Sequence, residues 1–123
     1  MEFGQLSKHI IGCAIEVHRE LGPGLLESTY EKCLLHELKA LNIECIAQMP
    51  LPVIYKGVHI DCGFRIDLLV EGSFIVELKS VDSLLKIHKA QILTYMKLAN
   101  IKTGLLINFN TKMLKNGIKR FVL

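Results

Sequence analysis

A chain of 123 residues, half of them hydrophobic and 22% charged, is one ordinary globular domain, too short for two and too apolar to be disordered. Its net charge of +3 does not demand a polyanionic partner, although Lys112, Lys115, Lys119 and Arg120 crowd the last dozen residues, where they read equally as a solvated basic end. No apolar run reaches the ~18 residues that span a bilayer, and Met1-Glu2-Phe3-Gly4-Gln5 lacks a signal-peptide layout, so a cytoplasmic protein is expected.

In chain order, Leu6, Ile10, Cys13, Val17 and Leu21 step by three or four and predict a helix with one apolar stripe. Gly22-Pro23-Gly24 ends it. A second helix is expected from about Leu26 to Leu41, with Leu26, Tyr30, Leu34, Leu38 and Leu41 facing the core. Residues 43–55 read as extended, and Pro50 and Pro52 confine them to an edge or an irregular strand. Lys56-Gly57 turns into a strand that leads to Asp67. Gly72 then marks a hairpin turn into Phe74-Ile75-Val76-Glu77-Leu78-Lys79. Ser80 or Asp82 can cap a helix of about Ser83 to Asn100. Thr103 to Asn108 is a short buried strand, Asn110 to Gly117 a loop, and Ile118 to Leu123 a last strand. The order is α-α-β-β-β-α-β-β in a single domain over 1–123, an α+β arrangement with helices flanking a mixed sheet. The four cysteines, Cys13, Cys33, Cys45 and Cys62, form no closely spaced pair, so structural zinc is not expected and they read as free thiols in a reducing compartment.

Three groups of residues carry possible chemistry. Side chains alternate along a strand, so Glu77 and Lys79 share one face while Phe74, Val76 and Leu78 share the other. A three-residue loop of Glu71-Gly72-Ser73 sets Val70 opposite Phe74 and Asp67 opposite Glu77, whereas a two-residue loop breaks that parity. The first arrangement makes an acidic pocket with a lysine at its rim, the outline of a divalent-metal site. A solvated edge strand with a Glu/Lys ladder is the plainer reading, and the apolar content of residues 74–79 argues against it. Second, Glu27 falls on the face of Tyr30, Leu34 and Leu38, either as an inward carboxylate that needs a partner or as a first-turn residue favoured by the helix dipole. Third, Leu84, His88, Gln91, Tyr95 and Leu98 recur at helical spacing, so three polar-tipped side chains interrupt one apolar stripe.

Asp67 followed by Glu77-Leu78-Lys79 resembles the signature of the PD-(D/E)XK nucleases, with Ile66 where the name has Pro. Gly24-Leu25-Leu26-Glu27-Ser28-Thr29-Tyr30 is similar to the motif that names the GxxExxY family, small prokaryotic proteins placed in that superfamily. His88-Lys89-Ala90-Gln91 with Tyr95 resembles the helix after the ExK strand, and the similarity runs through nearly the whole chain. The resemblance implies a restriction-endonuclease-like core and a nuclease that hydrolyses phosphodiesters with metal-activated water, DNA favoured over RNA. It implies Mg²⁺ or Mn²⁺ held by Asp67, Glu77 and the Leu78 carbonyl, with Glu27 completing the site directly or through a water. Lys79 would orient the attacking water, and Gln91 and Tyr95, with His88 as a weaker candidate, would position the substrate. The competing expectation is a nuclease fold that binds nucleic acid or a partner without turnover. Double-strand cutting by so small a domain would call for a homodimer.

Overall fold

Apolar spacing places the two N-terminal helices. The computed structural model describes residues 3–123; Met1 and Glu2, part of the segment read above for a signal peptide, lie outside them. Helix α1 (Phe3–Leu21) buries Leu6, Ile10, Cys13, Ala14 and Val17, and α2 (Glu27–Ala40) buries Tyr30, Leu34 and Leu38. Two expected core positions are corrected. Leu26 is 74% exposed at the N-cap of α2 and Leu41 is 52% exposed at its C-cap. Both stand outside the helical repeat, so the geometry that aims Tyr30 and Leu34 inward does not govern them.

Among the described residues there are seven strands where five were expected. The segment from residue 43 to 55 divides into β1 (Cys45–Pro50) and β2 (Val53–Tyr55). Lys56-Gly57 turns the chain into β3 (Val58–Ile60), which pairs back on β2 as a separate two-stranded sheet. The strand expected to run on to Asp67 is therefore broken. The Asp61 carboxylate accepts the Gly63 N–H at 2.8 Å, and β4 (Arg65–Val70) starts only after that turn. Then come β5 (Phe74–Lys79), α3 (Lys86–Ala99), β6 (Thr103–Asn108), a 3₁₀ turn (Leu114–Gly117) and β7 (Ile118–Val122).

The main sheet has the order β1-β4-β5-β6-β7, antiparallel except for the β5–β6 pair, which α3 connects. Helices α1 and α2 pack on the face that carries Leu68, Val70, Phe74, Val76, Leu78, Leu105 and Ile107. Helix α3 covers the other face with Ile92, Tyr95 and Met96 against Ile66, Ile75 and Leu106. This mixed sheet between helices is the α+β, restriction-endonuclease-like arrangement. No helix among the described residues is long and apolar enough to cross a membrane. The four cysteines are free thiols, with Cys13 and Cys45 buried.

The β4–β5 connection is the three-residue one, with Val70 opposite Phe74 and Leu68 opposite Val76. Glu71 and Gly72 both take left-handed backbone (φ +53° and +63°), a turn that a glycine at its tip makes easy. Helix α3 begins at Lys86, later than Ser83, and neither Ser80 nor Asp82 caps it. Ser80 is held elsewhere: its hydroxyl donates to the Leu25 carbonyl at 2.7 Å. Val81 is pinned to β6, because the Asn108 side chain accepts its N–H at 3.0 Å and donates to its carbonyl at 2.9 Å.

Asn108 is fixed in turn by the 3₁₀ turn. A Cβ on Gly117 would stand 2.2 Å from the Asn108 carbonyl oxygen, closer than any real contact. Gly117→Ala is therefore expected to lower stability by about 1–3 kcal/mol through forced displacement of this corner. Urea denaturation measures it, and an unchanged midpoint would contradict the close approach.

Candidate active site

Strands β4 and β5 stop pairing through their backbones just where the acidic residues begin. The ladder runs from Val70–Phe74 to Leu68–Val76, and the next positions in register are Asp67 and Glu77. There the side chains take over the hydrogen bonds. The Leu78 N–H donates to Asp67 Oδ2 at 2.8 Å, and the Asp67 N–H donates to Glu77 Oε2 at 3.4 Å. On the far side of β5 the Lys79 carbonyl accepts the Phe109 N–H at 2.9 Å, so Lys79 turns its carbonyl to β6. Backbone groups alternate along a strand, which turns Leu78, N–H and carbonyl alike, toward β4 and Asp67.

Glu77 is only 5% exposed, and its Oε1 has no hydrogen-bond partner. Burial pushes its carboxyl up to about 10, and a carboxyl–carboxyl hydrogen bond and the charge of Asp67 add to that. The Asp67 N–H and the charge on Lys79 pull the other way and do not prevail. A buried carboxyl with one orphaned oxygen, beside a second carboxylate, is a hard-oxygen donor set that a small divalent cation satisfies.

The helix row closes one side. Lys79 Nζ donates to Gln91 Oε1 at 3.5 Å, and Gln91 Nε2 donates to the Tyr95 hydroxyl at 3.1 Å. Burial, ahead of the charges on Glu77 and Asp67, raises the Tyr95 phenol, so it keeps its proton beside them. His88 lines the same cavity as Gln91 and Tyr95, but its Nδ1 is committed to the Leu85 N–H at 3.0 Å at the start of α3.

Glu27 does not face the core. It is exposed, and its Oε2 accepts the Ser80 N–H at 3.3 Å, one residue beyond Lys79. The first turn of α2 meets the chain just beyond the C-terminal end of β5, so sharing a helical face with Tyr30 does not bury it. Among the described residues, no three His, Cys, Asp or Glu side chains converge as a metal cluster. The carboxylate that comes nearer is Glu31, one turn along the same face. Gln48 Nε2 donates to Glu31 Oε1 at 2.5 Å and to Asp67 Oδ1 at 3.3 Å. Burial raises Glu31, opposed by the Gln48 amide and reinforced by the Asp67 charge. Sequence reasoning missed both. Glu31's one signal is its place four residues after Glu27, and Gln48 reaches Asp67 from a left-handed kink (φ +56°) in β1.

Tyr30 explains the spacing of Gly24 to Tyr30 in structural terms. Its hydroxyl donates to the Gly22 carbonyl at 2.6 Å and accepts the Leu25 N–H at 3.1 Å, while its ring stacks on Phe109 with centroids 4.4 Å apart. The loop that delivers Glu27 and Leu25 to Ser80 is thereby tied to the core.

Two measurements test these contacts. Tyr30→Phe keeps the stacking and removes both loop bonds, and a cost of about 1–2 kcal/mol is expected. Exchange of the Leu25 amide should accelerate with it; unchanged exchange would remove the tether from the account. For Glu77, the folded protein holds the proton between 4.5 and about 10 while the unfolded chain releases it above 4.5. The folded state binds more protons in that window, so metal-free stability is highest below it and falls as pH rises. Glu77→Gln should flatten this slope and raise the melting temperature in EDTA at about pH 8 by several degrees, ~4–8 °C per kcal/mol. A variant that melts lower than the wild type at that pH would refute the buried-proton account.

A family model described as the PD-(D/E)XK nuclease superfamily matches residues 4–121. No curated protein and no solved structure gave a significant match. With the model spanning nearly the whole chain, and the acidic pair, ExK strand and mixed sheet laid out as above, the protein belongs to the PD-(D/E)XK nuclease superfamily.

Proposed function

We propose that this nuclease-like protein is a divalent-metal-dependent nuclease that hydrolyses phosphodiester bonds, with DNA as the favoured substrate. The observation that carries the reading is the pairing of Asp67 with a buried, partly orphaned Glu77 at the open end of β4–β5, with Lys79 on the same face. Asp67, Glu77 and the Leu78 carbonyl would hold Mg²⁺ or Mn²⁺. Two carboxylates suffice, because Mg²⁺ keeps several waters and takes further oxygens from substrate phosphate. Glu27 would contribute through a water, given its place beside Ser80. When bound, the cation polarises the phosphoryl oxygen and lowers the pKa of a nearby water.

The chain's own groups do the rest. Lys79, tethered by Gln91, orients the attacking water and offsets charge on the phosphate as the water oxygen bonds to phosphorus and one P–O ester bond breaks. Tyr95, kept protonated, and Gln91 position the phosphate, with His88 at the outer rim. The spacing of Gly24, Glu27 and Tyr30 supports placing the chain in the GxxExxY branch, and a cytoplasmic setting accords with its free thiols. A homodimer is the hypothesis for double-strand cutting, and light scattering that finds a strict monomer would count against it.

The test is cleavage of labelled DNA and RNA with Mg²⁺, Mn²⁺ or EDTA. Metal-dependent cutting is expected, with Asp67→Ala and Lys79→Ala each slower by at least about 100-fold. Binding that survives in both variants, with no cutting by the wild type, would establish the silent binding module instead.

A further inference from the structure

The cavity that His88 shares with Gln91 and Tyr95 adjoins this site on the α3 side. It has a volume of ≈ 360 Å³ and is lined by Phe64, Ile87, His88, Gln91, Thr94 and Tyr95, with Ala90 between them. That is near the lower end for small-molecule sites, on the order of 300–1,000 Å³. Two of its walls are the residues in line with Lys79: Gln91 accepts from Lys79 Nζ and donates to Tyr95. Of the remaining walls, Phe64, Ile87, Ala90 and Thr94 have no task in the hydrolytic scheme. Phe64 is 39% exposed, tilted 42° against Tyr95 with centroids 5.8 Å apart, and Ile87 is 67% exposed.

The Phe64 backbone is fixed, since its carbonyl accepts the Leu51 N–H at 3.0 Å and an Arg65 guanidinium N–H at 2.9 Å. His88 Nδ1 accepts from the Leu85 N–H, which leaves Nε2 as the ring's free nitrogen to donate, and Thr94 lines the same cavity from further along the helix. An aromatic face, an aliphatic wall and a few hydrogen-bonding groups are what a heteroaromatic ring requires. Charge points to a polyanion on this side. Helix α3 carries Lys86, Lys89 and Lys97 and no carboxylate, whereas α2 sets Glu27, Glu31 and Glu37 against Lys32 and Lys39.

We propose that this cavity seats a single unpaired nucleobase next to the scissile phosphate, so that the substrate is a single strand or a frayed end and not intact duplex. The proposal rests on the nuclease reading of the Asp67–Glu77–Lys79 site. A base inside a stacked duplex cannot enter this pocket unless it is first extruded, which costs unstacking and unpairing. Phe64 stacks on the base, Ile87 bounds it, and His88 Nε2 with Thr94 meets its edge.

Binding and cutting are read separately. A DNA oligonucleotide with 2-aminopurine scanned through each position is titrated with wild-type protein in EDTA. One position should show a stacking change in fluorescence, and Phe64→Ala should abolish it. With Mg²⁺, single-stranded oligonucleotide should be cut about 10-fold or more faster than a duplex closed at both ends by hairpin loops, and an abasic nucleotide at the reporting position should slow cutting of the single strand about 10-fold. Phe64→Ala should slow the normal strand to the same extent and leave the abasic strand unchanged, a non-additivity that a folding defect would not produce. Equal cutting of closed duplex and single strand, or indifference to the abasic site in the wild type, overturns the proposal. A 2-aminopurine response with no cutting under any metal supports the base pocket while removing the nuclease reading.

Discussion

The site depends on where one antiparallel ladder stops. Through Leu68–Val76 the backbones of β4 and β5 satisfy each other; one step further the two strands are joined by carboxylates instead. Asp67 accepts the N–H of Leu78, and Glu77 accepts the N–H of Asp67. That exchange costs little in hydrogen bonds and leaves a gap lined with oxygen atoms inside an otherwise apolar sheet. It also leaves Glu77 in a position no carboxylate holds comfortably unless protonated or bound to a cation. The strain of the metal-free protein and the chemistry proposed for it have the same origin.

Around that gap, two tethers from opposite faces of the sheet set the rim. On one face, Tyr30 stacked on Phe109 holds the loop after Gly22, which brings Leu25 and Glu27 to Ser80. On the other, Gln91 and Tyr95 reach from α3 to Lys79. Asn108 joins the two by pinning Val81 to the end of β6, so the residues after Lys79 cannot start α3 early. The glycine-to-tyrosine motif is therefore mostly architecture: its tyrosine bonds to the loop after α1, and its glutamate accepts the Ser80 N–H just beyond β5. A site of this kind tolerates a small domain, because each catalytic candidate sits on a regular element with a bond to a neighbour.

The two faces of the rim differ in charge and texture. Helix α2 mixes three glutamates with two lysines, and α3 carries three lysines with no carboxylate and exposes Ile87 near Phe64. On the proposed reading, a polyanion would approach the Asp67–Glu77 gap more favourably from the α3 side.

Local pattern determined much of this in advance. The period-two alternation in residues 74–79, Gly72 in a three-residue turn and the 3.6-residue stripes of α1 and α3 follow from short-range stereochemistry, so the hairpin register, the pairing of Asp67 with Glu77 and the shared row of Gln91 and Tyr95 could be read from the sequence, while the contact of that row with Lys79 could not. Tertiary structure decided the rest. Whether Glu27 is buried depended on where α2 ends relative to the sheet, and the start of α3 depended on Ser80 and Val81 being claimed by Leu25 and Asn108. The role of Gln48 came from a kink in a neighbouring strand, and the Phe64 wall came from the turn at Asp61–Gly63 that lets residue 64 meet residue 95. These are contacts between distant segments, and periodicity carries no information about which distant segment will compete for a given hydrogen bond or cover a given face.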